Sequence, residues 1–444
     1  MFDFTYDLIR IKYKLDLPMS AKLISNKENI VTIQLEVVLT NSMLDSEENI
    51  LSSINEAGTI ATIEALKNFD TDGSKLIFGD NIFFSKGLLP KKYQTPYGEV
   101  KVPRHVYQSS KGGKTFCPME QDGRVIITST PRFAKIVSNK FSSAASTVVK
   151  RDLYENHGRK ITRAYLSDIS DAVGSIVQSK EESWHYETPD FKDEQVTTIA
   201  LGLDGTCMLL CNDNYREAMT GTISLYNKDR DRLHTIYVGS APKHGKKVFL
   251  DRMEREINHI KELYPNAQYV GIADGAECNW TFLKPHVTTQ ILDFYHASGY
   301  IKDASYAAFP RSEGRCIDWF EKQRHELKHS KNAANNVLVK MKDFKKNKLN
   351  KLKSEKLNKA ITYFTNHAHQ MNYSDYLEDN LPIGSGVTEA ACKSLIKQRL
   401  CCSGMKWTER GAGIVLSLRS LVITKGRWKQ FWEKLDRYGF PIAA

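Results

Sequence analysis

The chain has 444 residues, too many for one ordinary hydrophobic core, so two or three domains are expected. Hydrophobic residues make up 41% and aromatics 10%, which excludes a largely disordered protein, and no run of about 18 apolar residues exists to cross a membrane. The formal charge of +11 permits a polyanionic partner without separating nucleic-acid binders from ordinary basic enzymes.

The opening segment, MFDFTYDLIRIKYKLDL, carries charge throughout and lacks an apolar stretch with a cleavage site, so it does not read as a secretory leader. Residues 1–90 read as an α+β segment. A β-prone run from Ile30 to Leu39 precedes a helix that Asp45-Ser46-Glu47-Glu48 opens and that continues through Leu66. Residues 91–130 read as a small β-module, with strands TPYGEVKVPRHVYQSS, KTFCPM and RVIITST separated by turns at Gly112-Gly113 and Asp122-Gly123. Residues 131–190 are helical and break at His157-Gly158. A helix over 143–155, a glycine turn and a second helix opened by Thr162 describe a helix-turn-helix, with Arg163 where a recognition helix contacts bases. An ordinary helical pair fits the same pattern.

From residue 191 to 444 the text changes. TTIALGLDG predicts a buried strand ending in Asp204, and two more strands follow over 218–225 and 233–238. An amphipathic helix over 245–263 turns Val248, Leu250, Met253, Ile257, Ile260 and Leu263 inward. AQYVGIADG is a strand ending in Asp274, and TTQILDFYHA one ending in Asp293. Three strands, a helix and two strands describe a mixed α/β sheet of ribonuclease-H type, although periodicity equally allows other α/β folds. A basic helical insertion over about 300–375 precedes two last helices, 387–400 and 409–423, with Gly404 between them. The eight cysteines form no CxxC pair. They read as reduced thiols of a cytoplasmic protein, and a structural zinc site is disfavoured.

Asp204 and Asp274 each follow a run of small and β-branched apolar residues. Side chains at the carboxyl ends of sheet strands point into the crevice where α/β proteins bind ligands. Two such carboxylates suit a hard cation such as Mg²⁺, and paired cations serve phosphoryl transfer. Asp-Gly after a strand is also a common turn, and Glu277, Asp293 and Asp303 are competitors that spacing does not exclude. Glu389 is the third candidate. It follows a Gly-Ser-Gly turn in which Ser385 can cap the helix, and Lys393 and Lys397 stand on its face at i+4 and i+8. An exposed Glu–Lys pair accounts for the same spacing.

The stretch from Leu201 to Leu421 resembles the transposases of bacterial insertion sequences of the ISKra group, within the DDE transposase superfamily. The words that carry the resemblance are LGLDGT (201–206), EAMTGTISLY (217–226), RLHTIYVG (232–239), GIADGAECNW (271–280), ILDFYHA (291–297) and PIGSGVTEAACKSLIKQRLCCSGMKW (382–407). YQTPYGEVKVPRHVYQSSKGGKTFCP (93–118) and ENHGRKITRAYL (155–166) extend it toward the N-terminus. The resemblance implies a ribonuclease-H-like catalytic domain in which Asp204, Asp274 and Glu389 hold two Mg²⁺ or Mn²⁺ ions, and no position of that triad departs from the motif.

The implied activity is phosphodiester hydrolysis at the ends of a mobile element and strand transfer to target DNA. The partners are the terminal inverted repeats and the target, handled by a dimer or higher assembly. Lys393, Lys397 and Arg399 would hold flanking phosphates, and Arg163 would read the repeats. Asp293 and His296 are accessory candidates, His296 being either an orienting group or a hydrogen-bonded core histidine. Trp280 and Trp407 are either base-stacking or core residues. Three rivals stand beside this reading. They are a ribonuclease-H-like nuclease without strand transfer, a domesticated DNA-binding protein, and a basic sugar or phosphate enzyme on another α/β fold.

Overall fold

The computed structural model describes residues 20–440 except 193, 243–245, 310 and 347–348. The opening segment discussed above lies outside them. The chain divides into two compact units, Met1–Ile176 with Trp432–Ala444, and Val177–Phe431.

In the first unit, strands β1 (Ala21–Lys27) and β2 (Ile30–Leu35) form an antiparallel hairpin. Helix α1 (Met43–Lys67) begins at Ser42, whose hydroxyl accepts from the Asp45 amide. An antiparallel sheet follows in the order β3 (Leu76–Phe78), β4 (Asn81–Gln94), β5 (Glu99–Ser109) and β6 (Thr115–Phe116). Along β5, Val100 and Val102 turn inward onto Tyr93, Leu66 and Met119 while Lys101 faces water, the period of two that a half-buried strand requires.

Two expected strands are not formed. Pro118 starts a short helix, α2 (Pro118–Asp122), in place of the second half of KTFCPM, because proline suits a first helical position and cannot donate to a ladder. RVIITST folds back on itself. Ile126 and Ser129 exchange both main-chain bonds, and Ile127 is forced to φ 59°. The helix expected over 143–155 is divided into α3 (Pro131–Ser143) and α4 (Ser146–His157). Gly158, at φ 60°, ends α4 in the left-handed conformation that glycine adopts without strain. Thr162 then accepts from the Tyr165 amide at the start of α5 (Arg163–Lys180).

The second unit is built on a five-stranded mixed sheet. Strands β7 (Thr198–Leu210), β8 (Asn214–Tyr226) and β9 (Arg232–Ser240) are antiparallel neighbours, and β10 (Gln268–Ala273) and β11 (Thr289–Leu292) run parallel to β7. The order across the sheet is β11-β10-β7-β8-β9. Helix α6 (Lys247–Leu263) connects β9 to β10 and buries Phe249, Met253, Ile257 and Ile260. Val248 and Leu263, expected inward, are 37% and 45% exposed. Val248 lies about 100° round the helix from Phe249, and Leu263 is the last helical residue.

Helix α7 (Glu277–Leu283) follows β10. After β11 come α8 (Phe294–Ala308), α9 (Glu313–His329), α10 (Ala333–Asp343), α11 (Lys351–His367) and α12 (Tyr373–Glu378). Their apolar faces (Ala297, Ile301, Val337, Phe364, Tyr373) join the strand residues Leu201, Val270 and Ile291 in one buried cluster. Helix α13 (Gly386–Ala391) runs into a π-helical stretch, Cys392–Lys397, and a final α turn, Gln398–Leu400. Helices α14 (Glu409–Ile423) and α15 (Arg427–Tyr438) end the fold.

Candidate active site

Three aspartates lie level at one end of the sheet. Ile272 of β10 pairs with Gly202 of β7, and Ala273 pairs with Leu292 of β11. Carrying both registers forward places Asp274 beside Asp204 on one side and Asp293 on the other. Asp204 is not at a strand end as the sequence reading expected. Strand β7 leaves β10 after Gly202 but stays paired with β8 as far as Leu210, so Asp204 sits within it, opposite Thr220.

Neither Asp-Gly pair is a turn. Gly205 leaves room for the Glu217 side chain, and a Cβ on Gly275 would come within 2.7 Å of the Tyr363 ring. Asn279 ties the two strands together, its amide lying 3.4 Å from both the Leu203 carbonyl and Asp274 Oδ1. Asp274 also accepts from the Ala276 amide at 3.1 Å.

Glu389 is brought to this edge by Thr388. Any side chain at Gly202 would collide with Thr388 Oγ1, which lies 2.7 Å from Thr222 Oγ1 of β8. Helix α13 therefore rests directly on β7 and β8. Burial raises the Asp204 carboxyl above its ordinary range, and the negative charges of Asp274 and Glu389 add to the rise, against hydrogen bonds from the Cys392 thiol and the Gly205 amide. Burial and the Asp204 charge in turn push the Cys392 thiol up to about 11, so it stays protonated and donates.

Ser385 occupies the cap position of α13 without capping it. Its amide and hydroxyl instead donate to Asp293 Oδ2, and the hydroxyl also lies 2.8 Å from Glu389 Oε1. Asp293 is fully buried and caps α8 by accepting from the His296 amide at 2.7 Å. Burial alone would raise it, but the bonds from His296 and Ser385 prevail and hold it near 2. His296 is not a core histidine. Its half-exposed ring places Nδ1 3.5 Å from Asp293 Oδ1 and 3.7 Å from Glu389 Oε1, and the bond to Asp293 lifts its pKa to about 9.

Among the described residues, the acid and imidazole groups whose ligand atoms all lie within 4.8 Å of one another are Asp293, His296 and Glu389. Glu389 thus leans toward His296 and Ser385, while Asp204 and Asp274 face it electrostatically. Asp204, His296, Glu389, Cys392, Lys393 and Lys397 line one open cleft of about 670 Å³. That is room for a stretch of polymer backbone, not only an ion.

Other candidates lie elsewhere. Arg399 is 2% exposed, with its guanidinium 4.9 Å from the Trp407 ring, and burial beside Arg419 lowers it to about 10. It does not join the lysines on the cleft surface. Arg163 is exposed at the start of α5, bonded to Ser146. Trp280 is buried in the core, Asp303 pairs with Lys356 at 3.0 Å, and Glu277 is an exposed residue of α7. The role of Ser385 as a bridge was not visible in the sequence, where Gly-Ser-Gly reads as a cap.

No protein-family model matches this chain, and no curated protein matches it.

Proposed function

We propose that this protein is a DDE-type DNA transposase that cleaves phosphodiesters at the ends of a mobile element and joins the freed 3′ end to target DNA. The observation that carries the reading is the meeting of Asp204 and Asp274, level on adjacent parallel strands, with Glu389 across a cleft that Lys393 and Lys397 also line. The sheet order β11-β10-β7-β8-β9, with its first three strands antiparallel in sequence and the last two parallel to the first, is the pattern of a ribonuclease-H-like domain and supports the same reading. So does the sequence resemblance described above.

The donor set fits a hard divalent cation. Asp204 is half-buried among carboxylates that raise one another, a cost that a cation offsets, and every donor is oxygen. Asp204, Asp274 and Glu389 would hold Mg²⁺ or Mn²⁺, two ions in the full reading. When bound, such ions activate the attacking oxygen and neutralise charge on the phosphate. The protein's own groups supply position. The Cys392 thiol fixes the Asp204 carboxylate, and Ser385 with His296 fixes Glu389. Lys393 and Lys397, both exposed, hold the phosphates on either side of the scissile one. Arg163 and the helices around it are the part of the first unit that would read the terminal repeats.

The test is a cleavage and strand-transfer assay with DNA ends that flank the gene, a target plasmid, and Mg²⁺ or Mn²⁺. A joined product is expected, and Asp204→Ala, Asp274→Ala and Glu389→Ala each abolish it. Cleavage without joining would leave a nuclease. Salt-sensitive DNA binding with neither step would leave a DNA-binding protein.

A further inference from the structure

We infer that Tyr295 is a stacking platform for an unpaired DNA base next to the scissile phosphate, so that the site takes a frayed or single-stranded end in preference to an intact duplex. The inference rests on the function proposed above and names the form of DNA that the site accepts.

Tyr295 lies between Phe294 and His296, in the first turn of α8, which Asp293 caps. It is 62% exposed, an unusual state for so large a ring on a helix whose neighbouring residues are packed. The ring is nevertheless held. It meets Phe294 edge to face, with centroids 5.5 Å apart. On another side it rests against the backbone of Gly384, where even a Cβ would stand 3.0 Å from its Cε2. Gly384 precedes Ser385, which touches both Asp293 and Glu389, so the seat of the ring is continuous with the acidic site.

An aromatic ring fixed by its neighbours, with most of its surface open, loses little entropy when a base stacks on it. The tryptophans that sequence reading offers for this task are committed elsewhere. Trp280 is buried, and Trp407 carries the Arg399 guanidinium and donates to the Leu400 carbonyl. Lys393 and Lys397 supply the attraction for phosphates, which does not discriminate one strand from two. Tyr295 supplies a surface that only an unstacked base reaches, because bases within a duplex are covered on both faces.

The test compares wild type, Tyr295→Phe and Tyr295→Ala. The probes are a blunt duplex and the same duplex with a two-nucleotide overhang carrying 2-aminopurine, in Ca²⁺ so that binding is read without turnover. Wild type and Tyr295→Phe should prefer the overhang and change the probe's fluorescence on binding. Tyr295→Ala should bind the overhang on the order of tenfold more weakly, bind the blunt duplex unchanged, and melt at the wild-type temperature. The inference is overturned if Tyr295→Ala binds the overhang as wild type does. It is also overturned if Tyr295→Phe loses as much as Tyr295→Ala, which would assign the effect to the hydroxyl. Wild type that joins DNA with no overhang preference removes the role of Tyr295 alone. Wild type that binds neither probe removes it together with the transposase reading.

Discussion

Thr388 occupies the space that a side chain at Gly202 would need, and this contact sets the distance between the strand of Asp204 and the helix of Glu389. Gly202→Ala should therefore push α13 off β7. Overpacking of this kind costs about 1–3 kcal/mol, which chemical denaturation would register as a lowered midpoint. Adding Thr388→Ala should restore part of that stability by removing the colliding group, at the expense of its bond to Thr222. If the double variant is no better than the single one, the contact is not what spaces the two elements.

Asp204 and Asp293 should respond in opposite directions to the same change. Burial and like charge disfavour ionised Asp204, so Asp204→Asn should raise the melting temperature without divalent cations, by about 2–4 °C for each kcal/mol relieved, and should abolish any cation-induced rise. Asp293 is stabilised as an anion by His296 and Ser385, so Asp293→Asn should lower the melting temperature with or without cations. A pair of melting curves in EDTA and in Mn²⁺ separates a cation-holding carboxylate from a structural one.

Ser385→Ala should do more damage than loss of an ordinary helix cap. It removes the hydroxyl between Asp293 and Glu389 and leaves a buried carboxylate short of one donor, a loss of about 1–3 kcal/mol. It should also weaken Mn²⁺ binding in calorimetry, because Glu389 is no longer held. Unchanged Mn²⁺ affinity would confine Ser385 to a folding role.

His234 gives the second unit a defined acid sensitivity. It is buried on β9, and burial, with Arg427 and Lys425 nearby, lowers its pKa from 6.5 to about 4. The unfolded chain then binds the proton more readily than the folded one. Stability is complete above about pH 6.5 and is lost as pH falls toward 4, by up to an amount on the order of 3 kcal/mol. His234→Phe should flatten that part of the profile of stability against pH. A slope identical to wild type would place the acid sensitivity elsewhere.

The strands of the second unit and the two aspartates beside them were legible because buried strands carry unbroken runs of apolar residues, as in Ile199–Leu203 and Tyr269–Ala273. Glu389 was legible only as a residue near a helix start. Its place depends on Gly202 and Thr222, far away in sequence, and no local pattern encodes that. Basic residues near the C-terminus were the least readable. Lys393 and Lys397 face solvent, whereas Arg399, Arg419 and Arg427 are buried. Arg399 stacks on Trp407, and Arg427 grips Glu256 through two bonds of 2.6 Å. A planar guanidinium can be satisfied inside a protein by a ring or a carboxylate, so counting charges along the chain overstates what a polyanion would meet. In the first unit, RVIITST misled because β-branched residues favour strands only where a partner strand waits.

The π-helical stretch between Glu389 and Arg399 makes the spacing of this segment a matter of residue count as much as residue type. A π turn is an α-helix that has taken in one additional residue. Removing any one residue from Cys392–Lys397 would let the segment close into plain α-helix and rotate everything after it by about 100° relative to Glu389. Lys397 would leave the cleft and Arg399 its seat on Trp407, with the composition almost unchanged. Along this segment, a shortening by one is a graver change than most substitutions.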